Sequence, residues 1–180
     1  MNVFWERGYA ATSLTDLTKA TGMNRPSLYA AFGDKHSIFL KTLHRFGARM
    51  AREVAVALAD EDLERALTEF YLRSIDVYMS GTPAHRGCMV ASAASVDAVS
   101  DAEVRVLLLG TIEALDAALT ERFRGAVEEG ALTRREASQR GRLATAVLHS
   151  LSVRARAGQS RRALRKFARE SVAILVGEAS

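Results

Sequence analysis

Between Ser13 and Phe32 the sequence opens, closes and reopens a helix with almost no chain to spare. Ser13 with Asp16 three residues later is close to a capping box, and Leu14, Leu17 and Ala20 form an apolar helical stripe behind it. Thr21-Gly22-Met23 stops that helix, with Gly22 where a left-handed cap is needed. Asn24 can cap a second helix, and Pro26 falls in its first turn, where a missing N–H costs nothing. That helix runs from Arg25 to Phe32 and breaks at Gly33-Asp34. Helix, glycine turn and helix at this spacing predict a helix-turn-helix.

The rest of the chain carries the same punctuation. A long helix is predicted from about Lys35 to Asp60, and another from about Asp62 to Met79 that ends at Ser80-Gly81-Thr82-Pro83. A short Ala-rich segment follows, from about Gly87 to Val96. Ser100 with Glu103 and Thr133 with Glu136 read as capping boxes, opening helices to about Glu129 and Ala157. Gly158-Gln159-Ser160 links to a last helix over about Arg161–Val176. The chain of 180 residues holds only two prolines, Pro26 and Pro83, and no alternation that marks a strand. An all-α fold of about nine helices is expected, with a homeodomain-like head over 1–42 and a helical bundle over 43–180.

Charge is unevenly placed. Residues 1–50 hold seven Lys/Arg against three acids, so the whole formal net charge of +4 sits in that stretch and the remainder is balanced. A basic front on a neutral body points to a polyanionic partner. Cys88 is the single cysteine, which excludes an internal disulfide and a Cys-based zinc site and suits a reducing compartment. No apolar run approaches the length of a membrane span, and Met1-Asn2-Val3-Phe4-Trp5-Glu6-Arg7 lacks the layout of a signal peptide. A soluble, cytoplasmic protein without a membrane partner is expected.

A second helix that enters a DNA major groove needs polar, unobstructed residues in its first turn, and Asn24, Arg25 and Ser27 supply them. Its back face must be apolar, and Leu28 with Phe32 is predicted to dock it on the helix before. Arg25 can bond both acceptors of a guanine. The Tyr29 hydroxyl can reach a phosphate, and helix N-termini at Ser13 and Lys35 offer free N–H groups to one.

The strings Phe4-Trp5-Glu6-Arg7-Gly8-Tyr9, Thr12-Ser13-Leu14-Thr15-Asp16-Leu17 and Gly22-Met23-Asn24-Arg25-Pro26-Ser27-Leu28-Tyr29-Ala30-Ala31-Phe32-Gly33-Asp34-Lys35 resemble the DNA-binding domain of the TetR family of transcriptional regulators. Arg86-Gly87-Cys88-Met89-Val90 and Val153-Arg154-Ala155-Arg156-Ala157-Gly158 resemble the ligand-binding and dimerisation region of one subgroup. The resemblance implies that Arg25, Ser27 and Ala30 face base edges and that Thr12, Ser13, Tyr29 and Lys35 hold phosphates. It implies a homodimer on a near-palindromic double-stranded operator, and a repressor released by a small-molecule effector. It also implies further helix 1 residues before Phe4, so either a truncated reading frame, the favoured expectation, or a head less stable than those of its relatives is expected. An effector cavity is expected among Phe70, Tyr78, Cys88, Met89, Leu107 and Leu108. A dimer interface is expected on Leu143, Val147, Leu151, Leu164, Phe167 and Val172, although packing within one chain would explain the same stripes.

Other chemistry finds no support in the residues. There is no nucleophile elbow, Gly-rich phosphate loop, paired carboxylates at a plausible turn or HExxH, so no enzyme, cofactor or metal is expected. Cys88 is read as a small buried hydrophobe before a reactive thiol, and His36 and His44 as structural or surface residues. Three functions stay open: a ligand-released repressor, a DNA-binding protein without a small-molecule effector, and a ligand-binding dimer whose head no longer grips DNA.

Overall fold

The computed structural model describes residues 1–81 and 85–177. Among them it places ten α-helices: α1 Asn2–Arg7, α2 Leu14–Thr21, α3 Arg25–Phe32, α4 Lys35–Ala57, α5 Leu63–Tyr78, α6 Ser95–Asp97, α7 Ala102–Arg122, α8 Arg124–Glu128, α9 Arg134–Arg156 and α10 Arg161–Val176. A π-helical turn, Val90–Ala94, runs straight into α6. No strand occurs among the described residues. The Thr82-Pro83 part of the expected helix stop lies outside them.

Ten helices replace the expected nine because one long helix is two. Phe123 is fully buried and leaves the helical path, ending α7 before α8 begins at Arg124. The start of α7 also differs from expectation. Asp101, not Ser100, is the N-cap, and its carboxylate accepts from the N–H groups of Glu103 and Val104. The Ser13–Asp16 and Thr133–Glu136 capping boxes form as expected. The Lys35 helix ends at Ala57, three residues short of Asp60, which instead pairs with Arg65 at 3.0 Å.

The head, α1 to α3, is clamped onto the first half of α4 by aromatic rings. Phe4 meets Phe39 at 5.1 Å between centroids, and Trp5 meets Phe46 edge-on at 4.9 Å. Since α4 runs unbroken from Lys35 to Ala57, the same helix that carries the head forms a wall of the body. In the body α7 packs along α9, and α10 lies against α5 and α9.

The α7–α9 approach is close enough to need a glycine. A Cβ built on Gly141 would stand 2.7 Å from the Thr120 backbone nitrogen and 2.8 Å from its Cα. Gly→Ala inside a helix ordinarily gains up to about 1 kcal/mol. Here the obstacle is backbone, and overpacking costs about 1–3 kcal/mol. Gly141→Ala is therefore expected to lower the urea midpoint; a raised midpoint would show that α7 and α9 do not approach this closely.

Candidate nucleic-acid interface and cavity

The helix-turn-helix is built by its caps. Ser13 Oγ accepts from the Asp16 N–H (3.1 Å), while the Ser13 N–H and hydroxyl donate to Asp16 Oδ2 (2.9 and 2.6 Å). Those bonds from the Ser13 hydroxyl and N–H, with Arg7 beside them, hold the Asp16 carboxyl below its ordinary range. Gly22 takes φ 71°, the left-handed cap. Asn24 Oδ1 accepts from the Ser27 N–H at 2.9 Å, and Leu28 and Leu17 are buried between the helices.

This leaves the front of α3 open. Arg25, Ser27, Tyr29 and Ala30 are all exposed. Arg25 is not free, however: its guanidinium donates to Thr15 Oγ1 on α2 at 3.1 Å. Thr15 was not singled out by sequence, because nothing in a stripe pattern says which hydroxyl an arginine will meet.

Four expectations fail here for physical reasons. Phe32 does not dock α3 on α2; it is 38% exposed, with the Lys41 ammonium 5.8 Å from its ring. Thr12 cannot offer its hydroxyl to a phosphate, since it is 1% exposed and its hydroxyl donates to the Gly8 carbonyl at 2.7 Å. The Ser13 hydroxyl is spent within the capping box. The N-terminus of α4 is also occupied: Asp34 Oδ1 accepts from the Ser37 N–H at 2.7 Å, and this bond and the Ser37 hydroxyl lower its pKa. A carboxylate at that end competes with a phosphate. Lys35 itself is half-buried, its ammonium 4.3 Å over the Tyr9 ring.

Behind the head lies a polar junction that sequence reasoning missed. The Trp5 indole N–H donates to the Gly87 carbonyl at 3.0 Å. The buried Arg86 guanidinium stacks 4.1 Å over the Trp5 ring, lies 3.6 Å from Glu6, and donates to the Ser80 carbonyl. Arg156 of α9 donates to the Arg86 carbonyl at 3.1 Å and to the Trp5 carbonyl at 3.4 Å. Gly87 takes φ 67°, and a Cβ on it would meet the Ser152 carbonyl oxygen at 2.6 Å, so the strand of chain is pressed onto α9. The next residue, Cys88, donates its N–H to Ser152 Oγ at 2.8 Å. A second tie joins α4 to the start of α7: His36 Nε2 sits 2.6 Å from Oδ2 of the N-cap Asp101, and His36 packs edge-on to Tyr9 of the head.

Cys88 also faces a partly open cavity of about 620 Å³ between α4 and α7, which Tyr78 of α5, Val90 and Ala91 of the π-helical turn, and Leu148 and His149 of α9 also line. Four of the six residues named from sequence, Tyr78, Cys88, Leu107 and Leu108, line it, along with Met50 and His149. Phe70 and Met89 do not. Both are fully buried in the core, where Phe70 packs on Tyr71 at 4.9 Å. Burial raises the Tyr78 pKa well above the ordinary value, with the adjacent Cys88 thiol adding to it. Burial likewise raises the Cys88 pKa, which disfavours the thiolate a reactive cysteine needs. The His149 imidazole is lowered by burial, against an opposing pull from Asp116, and so favours its neutral form.

On the last two helices the expected interface divides. Leu151, Leu164 and Val172 are 0–1% exposed, filling the core where α9, α10 and α5 meet, so none can touch a second chain. Leu143 is 50% exposed, and Val147 and Phe167 are half-buried. Val153 and Ile174 are also exposed on these helices, and the Arg154 guanidinium covers the Phe167 ring at 4.4 Å. No helix among the described residues is long and apolar enough to cross a membrane.

Comparison with known proteins places this arrangement. Residues 1–42 match the family model described as bacterial regulatory proteins, tetR family. The HTH-type transcriptional repressor ComR of Escherichia coli K12 is 38% identical over 93 residues, 50% of this chain and 43% of ComR. The repressor BdcR of the same organism is 37% identical over 59 residues, 33% of this chain and 30% of BdcR. The matched stretches thus span less than half the length of either curated relative. A structure from Rhodococcus sp. RHA1 assigned to the TetR transcriptional regulators is 32% identical, covering 99% of this chain and 96% of that one with a TM-score of 0.65. A cysteine-substituted TetR-family regulator CifR, complexed with a 26-base-pair operator duplex, is 28% identical over 94% of this chain and 90% of its own, with a TM-score of 0.79.

Proposed function

The chain belongs to the TetR family of bacterial transcriptional regulators, and from that premise we propose that it is a non-enzymatic, cytoplasmic repressor that binds a specific operator as a homodimer and leaves it when a small molecule fills the cavity between α4 and α7. The observation that carries the reading is the open N-terminal end of α3. Arg25, Ser27, Tyr29 and Ala30 are exposed on a helix whose other side is held by Leu28 and whose start is fixed by Asn24. A helix presented this way fits the major groove. The match of residues 1–42 to the family model supports a head of that extent, with 43–180 as the effector and dimer body.

In this reading Arg25 reads a base, while Tyr29 and Lys35 hold phosphates. The hydroxyls of Thr12 and Ser13 position the head internally rather than touching DNA. Two chains join through the outer face of α9 and α10, using Leu143, Val147, Val153, Phe167 and Ile174. A two-fold pair of heads requires a near-palindromic operator.

The effector acts through population shift. It pushes on α4, which carries the head, and on Cys88, whose neighbour Gly87 holds the Trp5 indole. A coupling of about 1–3 kcal/mol would lower operator affinity about 5- to 150-fold.

The test is fluorescence anisotropy on a labelled random duplex at several salt concentrations. A working head is expected to show log affinity falling with log salt at a slope of about −0.9 per phosphate neutralised. Absence of binding at low salt would leave only the ligand-binding body.

A further inference from the structure

The cavity between α4 and α7 has a mainly apolar wall. Its walls are Phe46, Met50 and Val54 from α4, Leu107 and Leu115 from α7, and Leu148 from α9. Among the described residues that line it there is no Lys, Arg, Asp or Glu. The titratable groups that face it are His44, His149, Tyr78 and Cys88. His44 is exposed, and the other three are shielded from solvent to different degrees. The Thr111 hydroxyl, also on the wall, donates to the Leu107 carbonyl at 2.8 Å.

An ion entering such a space surrenders part of its hydration and meets no charged Lys, Arg, Asp or Glu side chain on the wall, the nearest carboxylate being Asp116 behind His149, which is costly unless it neutralises. A neutral molecule loses little. It gains dispersion contact on every wall, and Met50 can adapt its shape to the occupant. Hydrogen bonding is offered by the Tyr78 hydroxyl and Cys88 thiol, by the His44 and His149 imidazoles, and by the accepting side of the Thr111 hydroxyl. A volume of about 620 Å³ suits a molecule of two or three rings, in the usual range for small-molecule sites.

We propose that the occupant of this cavity is an uncharged, mainly apolar molecule of two or three rings with at most one or two polar groups, and that anions and cations of the same size are rejected. The proposal rests on the reading of the cavity as the effector site.

Matched fluorescent probes test it: N-phenyl-naphthylamine, which is neutral, and its sulfonated counterpart anilinonaphthalene sulfonate, titrated into the full chain. Gly47→Leu supplies the control. Gly47 lines the cavity inside α4, and a Cβ on it meets no heavy atom within 4 Å, so leucine adds bulk without a clash at its base. Its fold is checked by circular dichroism and thermal melting. The neutral probe is expected to bind one per chain, about tenfold or more tighter than the sulfonate, and to lose that binding in Gly47→Leu. Met50→Lys is expected to reverse the preference by placing a cation on the wall.

Equal or tighter binding of the sulfonate at a site that Gly47→Leu blocks would overturn the proposal. So would failure of the neutral probe to bind, or binding that Gly47→Leu leaves unchanged in a folded protein. Release of DNA is read separately: a neutral probe that binds as expected yet leaves DNA affinity unmoved keeps the ligand class and removes the coupling proposed above.

Discussion

Trp5→Ala is expected to lower the free energy of unfolding by about 3–5 kcal/mol, read as a shifted urea midpoint at unchanged slope. The ring is among the largest fully buried side chains, with Phe46 edge-on and Arg86 stacked on its face. Truncation opens a cavity between head and body, removes the cation–π partner of Arg86 and leaves the Gly87 carbonyl without its indole donor. Trp5→Phe separates these effects. It keeps most of the apolar volume and loses the hydrogen bond, so the cost should fall to about 1–3 kcal/mol, that of a buried acceptor left unpaired. If Trp5–Gly87 transmits the state of the cavity, the Phe variant should bind DNA nearly as well as the parent yet respond less to a cavity ligand. An unaltered ligand response would move the coupling onto α4 and the His36–Asp101 contact.

Arg25→Ala should weaken operator binding by about 1–3 kcal/mol and relax preference at one base pair in each half-site. The guanidinium is the strongest base-reading group on the exposed face of α3, where Ala30 and Ala31 offer only methyl groups. In the free protein it is tethered to Thr15 Oγ1, which holds it near the start of α3 and restricts its rotamers. Reading a guanine requires it to exchange or bend that contact. Thr15→Val should therefore alter affinity modestly without changing the preferred base. Tyr29→Phe is expected to weaken all duplexes alike, because a phosphate contact carries no sequence information. Uniform weakening by Arg25→Ala would instead assign Arg25 to a phosphate.

The local grammar of the helices was readable from sequence. Caps at Ser13, Asn24 and Thr133 and the left-handed Gly22 act through neighbours three or four residues away, so short windows reveal them. Errors arose where partners are distant or compete. Ser100 and Asp101 are both good caps, and the carboxylate took the position. Periodicity placed Leu143, Leu151, Leu164 and Val172 on stripes but could not say what covers each stripe; three fill the chain's own core and Leu143 is exposed. Phe32 at i+4 from Leu28 shared its face in projection, yet α3 ends there and the ring escapes the contact. The Trp5–Gly87–Arg156 junction joins segments far apart in the chain, each without a local motif to announce the others. Seven of the residues lining the cavity come from α4, whose apolar stripe reads equally as core.

The most direct test of the account is selection of bound sites from a random duplex pool by the full chain, followed by sequencing. The account predicts enrichment of a two-fold-symmetric site whose half-sites are centred about one helical turn, or a multiple of it, apart, with a preferred guanine that fades when Arg25→Ala is used. A pool that emerges no more symmetric than it entered, or an enriched site unaffected by Arg25→Ala, would contradict it.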